Sequence, residues 1–107
     1  MRVATQVSGD SVHQHTTVPI SGPTISIVVP ARNEARNLSI VLPELPEVHQ
    51  IIVVDGHSVD DTVEVAKTIR PGVEVITQTR RGKGNALACG FAAATGDIVV
   101  MFDADGS

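Results

Sequence analysis

The 107-residue sequence predicts an α/β fold with a mostly parallel sheet. Four apolar runs of strand length alternate with three segments of helical spacing, an order that favours right-handed crossovers between parallel strands. Aromatic residues make up only 2% of the chain, so Val, Ile, Leu and Ala must build the core. The folded part is expected to be residues 24–107, and residues 1–23, rich in Ser, Thr, Val, Gln and His, are expected to be a flexible leader.

The first predicted strand covers residues 24–29 and is closed by Pro30. Asn33 can cap the helix that follows, and Glu34 puts a negative charge in the first turn, where the helix dipole favours it. Apolar residues then recur at helical spacing until Pro43 ends the helix.

The second predicted strand covers residues 50–55, with Gly56 and His57 in the turn that follows. Ser58 and Asp61 resemble a capping box for a second helix, although Asp61 is most simply a helix-start acid. A short third strand is expected at residues 73–76.

A basic, glycine-rich loop at residues 80–85 leads into a third helix, expected at residues 85–95. The last strand, residues 98–102, has no polar side chain and should be buried on both faces. It is expected beside the first strand, with its other edge open.

Asp103 and Asp105 follow that strand and, two residues apart in an extended chain, point to the same side. Two carboxylates so placed suit a hard divalent cation, Mg²⁺ or Mn²⁺. An ordinary turn at Asp-Gly-Ser explains the same residues equally well. The local pattern leaves both interpretations open.

The carboxyl ends of three predicted strands carry polar sequences, and a parallel sheet brings such ends to one edge, where ligands bind in open α/β sheets. A cation, backbone N–H groups and Lys83 together favour a diphosphate, and Asp55 could accept from a ribose hydroxyl or a base N–H. These features suggest a nucleoside diphosphate. The dinucleotide, P-loop and protein-kinase motifs are absent from the sequence.

The composition excludes some classes of ligand and of covalent cross-link. The net charge of −4 argues against a nucleic-acid ligand, and the single cysteine, Cys89, rules out an internal disulfide. No apolar run approaches the length of a membrane span. The expected location is the cytoplasm, or the cytoplasmic face of the membrane for a full-length protein.

From about residue 24 to the end, the chain resembles the family 2 glycosyltransferases, whose GT-A fold is Rossmann-like and three-layered and binds a nucleotide-sugar through a metal. In motif it looks most like glucosyl-3-phosphoglycerate synthases and polyprenyl-phosphate sugar transferases. The resemblance is carried by four motifs: Ser26-Ile-Val-Val-Pro-Ala-Arg-Asn-Glu34, Val54-Asp-Gly-His-Ser-Val-Asp60, Gly82-Lys-Gly-Asn-Ala-Leu87 and Gly96-Asp-Ile-Val-Val-Met-Phe-Asp-Ala-Asp105.

The resemblance implies a role for each matching residue. The nucleoside pocket would be lined by Pro30, Ala31, Arg32 and Glu34. Asp55 and Gly56 would sit beside the base, and Lys83 would reach the base or the phosphates. Asp103 and Ala104 would contact the nucleotide-sugar, Asp103 through ribose or a water-bridged metal, and Asp105 would ligate Mg²⁺ or Mn²⁺ directly.

This chain differs from the family pattern at Gly56, and it contains no residue at the position of the family's general base. Many relatives carry a second acid where this chain has Gly56, so the base, uracil or guanine, is left open. No catalytic residue is assigned, because the family's general base is expected beyond Ser107. The acceptor would be a polyprenyl phosphate or a phosphorylated small molecule. The chain is thus expected to be the N-terminal, nucleotide-binding part of a glycosyltransferase; the alternative is a non-catalytic nucleotide-binding or interaction module.

Overall fold

The computed structural model describes residues 3–8 and 22–104. Its strands are β1 (Val3–Ser8), β2 (Ile25–Ala31), β3 (Gln50–Asp55), β4 (Glu74–Thr77) and β5 (Ile98–Asp103). Its helices are α1 (Ala35–Val41), α2 (Thr62–Ile69) and α3 (Lys83–Ala93), with a 3₁₀ turn at Leu42–Glu44. The strands form one sheet in the order β1-β5-β2-β3-β4, and each neighbouring pair is parallel. The predicted α/β class and parallel sheet are confirmed.

The central strand β2 shows why the fold has three layers. Side chains of a strand alternate between the two faces of the sheet. Ile27 and Val29 of β2 pack into the core that α1 and α2 cover. Val28, between them, belongs to the core on the opposite face, under α3. Both faces are therefore apolar, as expected for a parallel sheet covered by helices.

The edge of the sheet beyond β5 differs from the prediction. Val3–Ser8 pairs with β5 along its whole length, from Val3 opposite Ile98 to Ser8 opposite Asp103. The prediction of a flexible leader is thus corrected for these six residues, and the expected open edge of β5 is paired. Alternating β-branched residues favour a strand, but six residues are too few for periodicity to decide. Residues 1–2 and 9–21 of the predicted leader lie outside the described residues, and the domain limit at residue 24 stays a prediction.

Two element ends matter for the site. β2 runs two residues past its predicted end, through Pro30 to Ala31, because both residues stay in register with β3. α3 begins at Lys83, two residues earlier than expected, which places this lysine in the first turn of the helix. Of the helices that the structure describes, none is long and apolar enough to cross a membrane.

The contact of α3 with the sheet is made through Gly90. A Cβ at this position would lie 2.2 Å from Cγ1 of Val28 and 3.1 Å from Cγ2 of Val54. Such distances are far inside van der Waals contact, so the helix can lie this close only because residue 90 has no side chain. The same helix carries Gly84, where a Cβ would meet no described atom within 4 Å.

We therefore expect Gly90→Ala to destabilise the fold by about 1–3 kcal/mol, because the added methyl group overpacks the interface between α3 and the sheet. The matched variant Gly84→Ala adds the same group in the same helix where there is room, and should be neutral or slightly stabilising. Chemical denaturation of both variants measures the difference. Equal stability of Gly90→Ala and the unmodified protein would show that α3 does not pack at this distance.

Candidate functional site

A cleft of about 650 Å³ opens at the carboxyl edge of the sheet. Its walls are the ends of β2, β3 and β5 together with the loop between β4 and α3. The lining residues are Pro30, Ala31, Arg32, Glu34, Gly56, His57, Gln78, Thr79, Arg80, Arg81, Gly82, Lys83, Ala86, Asp103 and Ala104. The predicted convergence of polar strand ends at one place is confirmed.

The strand order explains why the cleft forms here. From β2 the chain moves outward to β3 and β4 on one side, then returns to β5 on the other side of β2. The strand order therefore reverses between the neighbouring strands β2 and β5. This reversal is the place where open α/β sheets bind ligands.

Eight of the nine residues predicted to bind the nucleotide-sugar line this cleft: Pro30, Ala31, Arg32, Glu34, Gly56, Lys83, Asp103 and Ala104. Asp55 is not among the described lining residues. It is 6% exposed, and its carboxylate accepts from the backbone N–H of Ser58 at 3.3 Å and 3.4 Å. Asp55 thus holds the turn after β3. Asp105, the predicted direct metal ligand, lies outside the described residues.

Lys83 and Asp103 meet across the cleft. The Nζ atom of Lys83 lies 2.7 Å from Oδ1 of Asp103, whose side chain is only 7% exposed. A carboxylate this deeply buried needs compensation, and the ammonium group supplies it. Lys83 comes from the start of α3 and Asp103 from the end of β5, so the pair also ties two walls of the cleft together.

The cleft concentrates positive charge in an acidic protein. Four of the eight basic residues in the chain line it, namely Arg32, Arg80, Arg81 and Lys83. Against them stand the lining acids Glu34 and Asp103. The field in the cleft is therefore opposite in sign to the net charge of −4 and favours an anionic ligand.

Sequence reasoning missed Gln78 and Thr79, which follow β4 and line the cleft. It noted polar ends on the other strands and overlooked this one, because β4 is short and only partly buried. The usable signal was position: the first residues after a parallel strand lie at the ligand-binding edge whatever the length of the strand.

Two loops at the cleft are fastened to each other by side chains that the sequence suggested were helix caps. Asn33 has a φ of +53° rather than capping α1, and its Oδ1 accepts from the N–H of Val59 at 2.8 Å. Ser58 Oγ accepts from the N–H of Asn33 at 2.9 Å rather than capping α2. Both capping predictions were wrong, because each side chain satisfies a backbone group of the neighbouring loop instead of its own helix.

A second fastening runs through Thr62, which is fully buried. Its Oγ1 accepts from the N–H of Glu34 at 3.0 Å and donates to Oδ1 of Asp60. The hydrogen bond from the Thr62 hydroxyl is the main cause that lowers the pKa of Asp60, so this carboxylate stays ionised to lower pH than usual. Glu34, at the cleft, is thereby held by the first residue of α2.

The sequence profile described as Glycosyl transferase family 2 matches residues 26–107. The chain belongs to this family. An uncharacterized glycosyltransferase of Mycobacterium tuberculosis is 41% identical over 88 residues, which cover 82% of this chain and 39% of the relative. An undecaprenyl-phosphate 4-deoxy-4-formamido-L-arabinose transferase of Sodalis glossinidius is 34% identical over 101 residues, covering 83% of this chain and 31% of the relative.

Solved structures of similar glycosyl-transferring enzymes share the fold. Glucosyl-3-phosphoglycerate synthase of M. tuberculosis, crystallised with Mn²⁺, uridine diphosphate and phosphoglyceric acid, aligns with a TM-score of 0.68 at 37% identity, over 78% of this chain and 34% of that one. A mannosyltransferase of Pyrobaculum calidifontis, in complex with GDP-Man and Mn²⁺, aligns with a TM-score of 0.66 at 28% identity, over 91% and 32%. The predicted Rossmann-like GT-A fold is confirmed. The chain spans less than two fifths of the length of each of these four proteins.

The Thr62 fastening can be tested by Thr62→Val, which keeps the shape of the side chain and removes the hydroxyl. The variant should lose about 1–3 kcal/mol of stability, because the partly buried N–H of Glu34 is left without its acceptor. Hydrogen exchange at the Glu34 amide should accelerate at the same time. Thr68→Val, at an exposed position of α2, is the matched control and should change neither quantity. Unaltered exchange at Glu34 in Thr62→Val would contradict the assignment.

Proposed function

We propose that this chain is the nucleotide-binding part of a metal-dependent glycosyltransferase, which transfers a sugar from a nucleoside diphosphate to an acceptor. The observation that carries the proposal is the single cleft that gathers eight of the predicted binding residues. These come from three strand ends and one loop that are far apart in sequence. Their convergence on one cleft supports a shared role in binding.

The donor substrate follows from the charge and size of the cleft. Its volume of about 650 Å³ is within the range of ligand sites. Four basic side chains at the cleft suit a diphosphate. The related synthase was crystallised with uridine diphosphate and the related mannosyltransferase with GDP-Man, which supports a UDP- or GDP-linked sugar.

The carboxylates at the end of β5 fit a divalent cation by their chemistry. Asp103 faces the cleft, and carboxylate oxygens are ligands that Mg²⁺ and Mn²⁺ prefer. Among the described residues no three His, Cys, Asp or Glu side chains form a metal-binding group. We assign to Asp103 and Asp105 the carboxylates that would hold this cation. When bound, Mg²⁺ or Mn²⁺ would act as a Lewis acid on the leaving diphosphate.

The other cleft residues have binding roles in this proposal. The backbone around Pro30 and Ala31 forms one wall for the nucleoside, and Glu34 stands at the same wall. Lys83 offers its ammonium group to the phosphates from the first turn of α3, where the helix dipole favours the same negative charge. Each contact both positions the donor and offsets its charge.

Transfer of the sugar also requires an acceptor site and a general base, and neither is assigned to residues of this chain. The acceptor site and the general base are assigned to other residues of the protein, and the acceptor to a polyprenyl phosphate or a phosphorylated small molecule. The related undecaprenyl-phosphate transferase and the synthase crystallised with phosphoglyceric acid support those two acceptor classes. We place the protein in the cytoplasm or at the cytoplasmic face of the membrane, with which the single Cys89 is compatible.

The metal assignment predicts that Mn²⁺ strengthens binding of UDP or GDP to the complete protein, measured by thermal shift and calorimetry. Asp105→Ala and Asp103→Asn should each abolish this effect of the metal, because a carboxylate ligand is lost. Glu64→Gln, at an exposed position of α2, is the control and should keep it. Unchanged metal-dependent binding in both aspartate variants would refute the metal site, and the absence of any nucleotide binding would refute the proposed function.

The Lys83–Asp103 pair predicts two effects of opposite sign for Lys83→Gln. UDP or GDP binding with Mn²⁺ should weaken about tenfold or more, because a charge-assisted contact to phosphate is lost. Mn²⁺ alone should bind more tightly, because no ammonium group competes for the Asp103 carboxylate. Arg36→Gln removes one positive charge outside the cleft and should affect neither. Titration calorimetry separates the two effects, and weaker binding of both ligands would contradict the competition.

A further inference from the structure

The amide of Gln78 has a fixed orientation at the floor of the cleft. Gln78 is 6% exposed, although it lines the cleft. Its Nε2 donates to the carbonyl oxygens of Arg80 and Gly82, at 2.5 Å and 3.1 Å. Only the nitrogen of an amide can donate, so these two acceptors decide which end of the side chain is Nε2 and which is Oε1.

The Oε1 atom of Gln78 is left as an acceptor that faces the cleft. No donor on a described residue reaches it, whereas every fully buried side-chain N or O atom among the described residues has a partner. Oε1 is therefore open to the cleft.

The position of this acceptor is set by the sheet and by Gly56. The N–H of Gln78 donates to the carbonyl of Asp55 at 3.0 Å, which continues the β3–β4 ladder and sets Gln78 beside residue 56. A Cβ on residue 56 would lie 3.0 Å from Gln78 Oε1 and 3.2 Å from Cβ of Arg32. Because residue 56 is glycine, the space in front of Oε1 stays free for a ligand.

We propose that Gln78 Oε1 reads the nucleobase by accepting a hydrogen bond from a ring N–H that is flanked by a carbonyl group. Uracil at N3 and guanine at N1 present such a donor. Cytosine at N3 and adenine at N1 present a lone pair instead, which would face the lone pairs of Oε1. The inference rests on the proposed function and makes Gln78 its base-selecting residue.

The energetic logic is that of a buried polar group. A base without a donor at this position would displace water from Oε1 and give it no hydrogen bond in return. Leaving a polar group unpaired in this way lowers affinity more than the loss of an apolar contact does. The discrimination should therefore be strong. It should also depend on one atom of the base and one atom of the protein.

The test uses the complete protein with Mn²⁺ and compares nucleoside diphosphates by calorimetry. UDP or GDP should bind about tenfold or more tightly than CDP and ADP. The N-methylated form of whichever base binds, 3-methyl-UDP or 1-methyl-GDP, should bind weakly to the unmodified protein. In Gln78→Ala, which makes room for the methyl group, the ratio between methylated and unmethylated ligand should fall close to one.

Asn85→Ala is the matched control for damage to the loop. Asn85 Oδ1 accepts from the N–H of Arg80 at 2.8 Å, so its loss loosens the same loop without removing the Gln78 acceptor. This variant should lower affinity without changing the methylation ratio. Equal binding of CDP and UDP to the unmodified protein, or an unchanged ratio in Gln78→Ala, would overturn the inference and leave the proposed function standing. Failure of all nucleotides to bind would instead overturn the proposed function.

Discussion

The central position of β2 is the constraint on which the rest of the structure depends. β2 is hydrogen-bonded in parallel to β3 on one side and β5 on the other, so the chain must reverse its direction of travel across the sheet. As a result, α1 and α2 pack on one face of the sheet and α3 packs on the other. It also brings Ala31, Asp55 and Asp103 to the same edge. The site is thus a consequence of strand order before any side chain is considered.

Strand order places loops at one edge of the sheet but does not determine their conformation. The loops at the cleft are held by polar side chains that hydrogen-bond to the backbone of a neighbouring loop, as Asn33 does to Val59 and Thr62 to Glu34. Each such bond ties a side chain of one loop to the backbone of its neighbour, and so restricts the position of both loops. Loops held by such bonds have less freedom to lose when a ligand binds, which reduces the ordering cost of binding.

Much of the fold could be predicted because it depends on local pattern. The runs that became β2, β3 and β5 are apolar throughout, and their polar ends marked the site edge without knowledge of the structure. The caps failed because Asn33 and Ser58 have two possible sets of partners, and only tertiary contact decides between them. The place of Gln78 directly after β4 could have put it at the site edge, but the space beside Gly56 in front of its Oε1 is a tertiary feature that a sequence does not display.

The distribution of charge shows how an acidic chain can hold an anion. The net charge of the chain is −4, and from the sequence a cation, backbone N–H groups and Lys83 together were expected to favour a diphosphate. The structure collects four of the eight basic residues at the cleft, and these would attract a diphosphate. Lys83, which neutralises Asp103 at 2.7 Å, belongs to this group. A cation bound by the Asp103 carboxylate would free that ammonium group for phosphate, so metal and basic residues would act together.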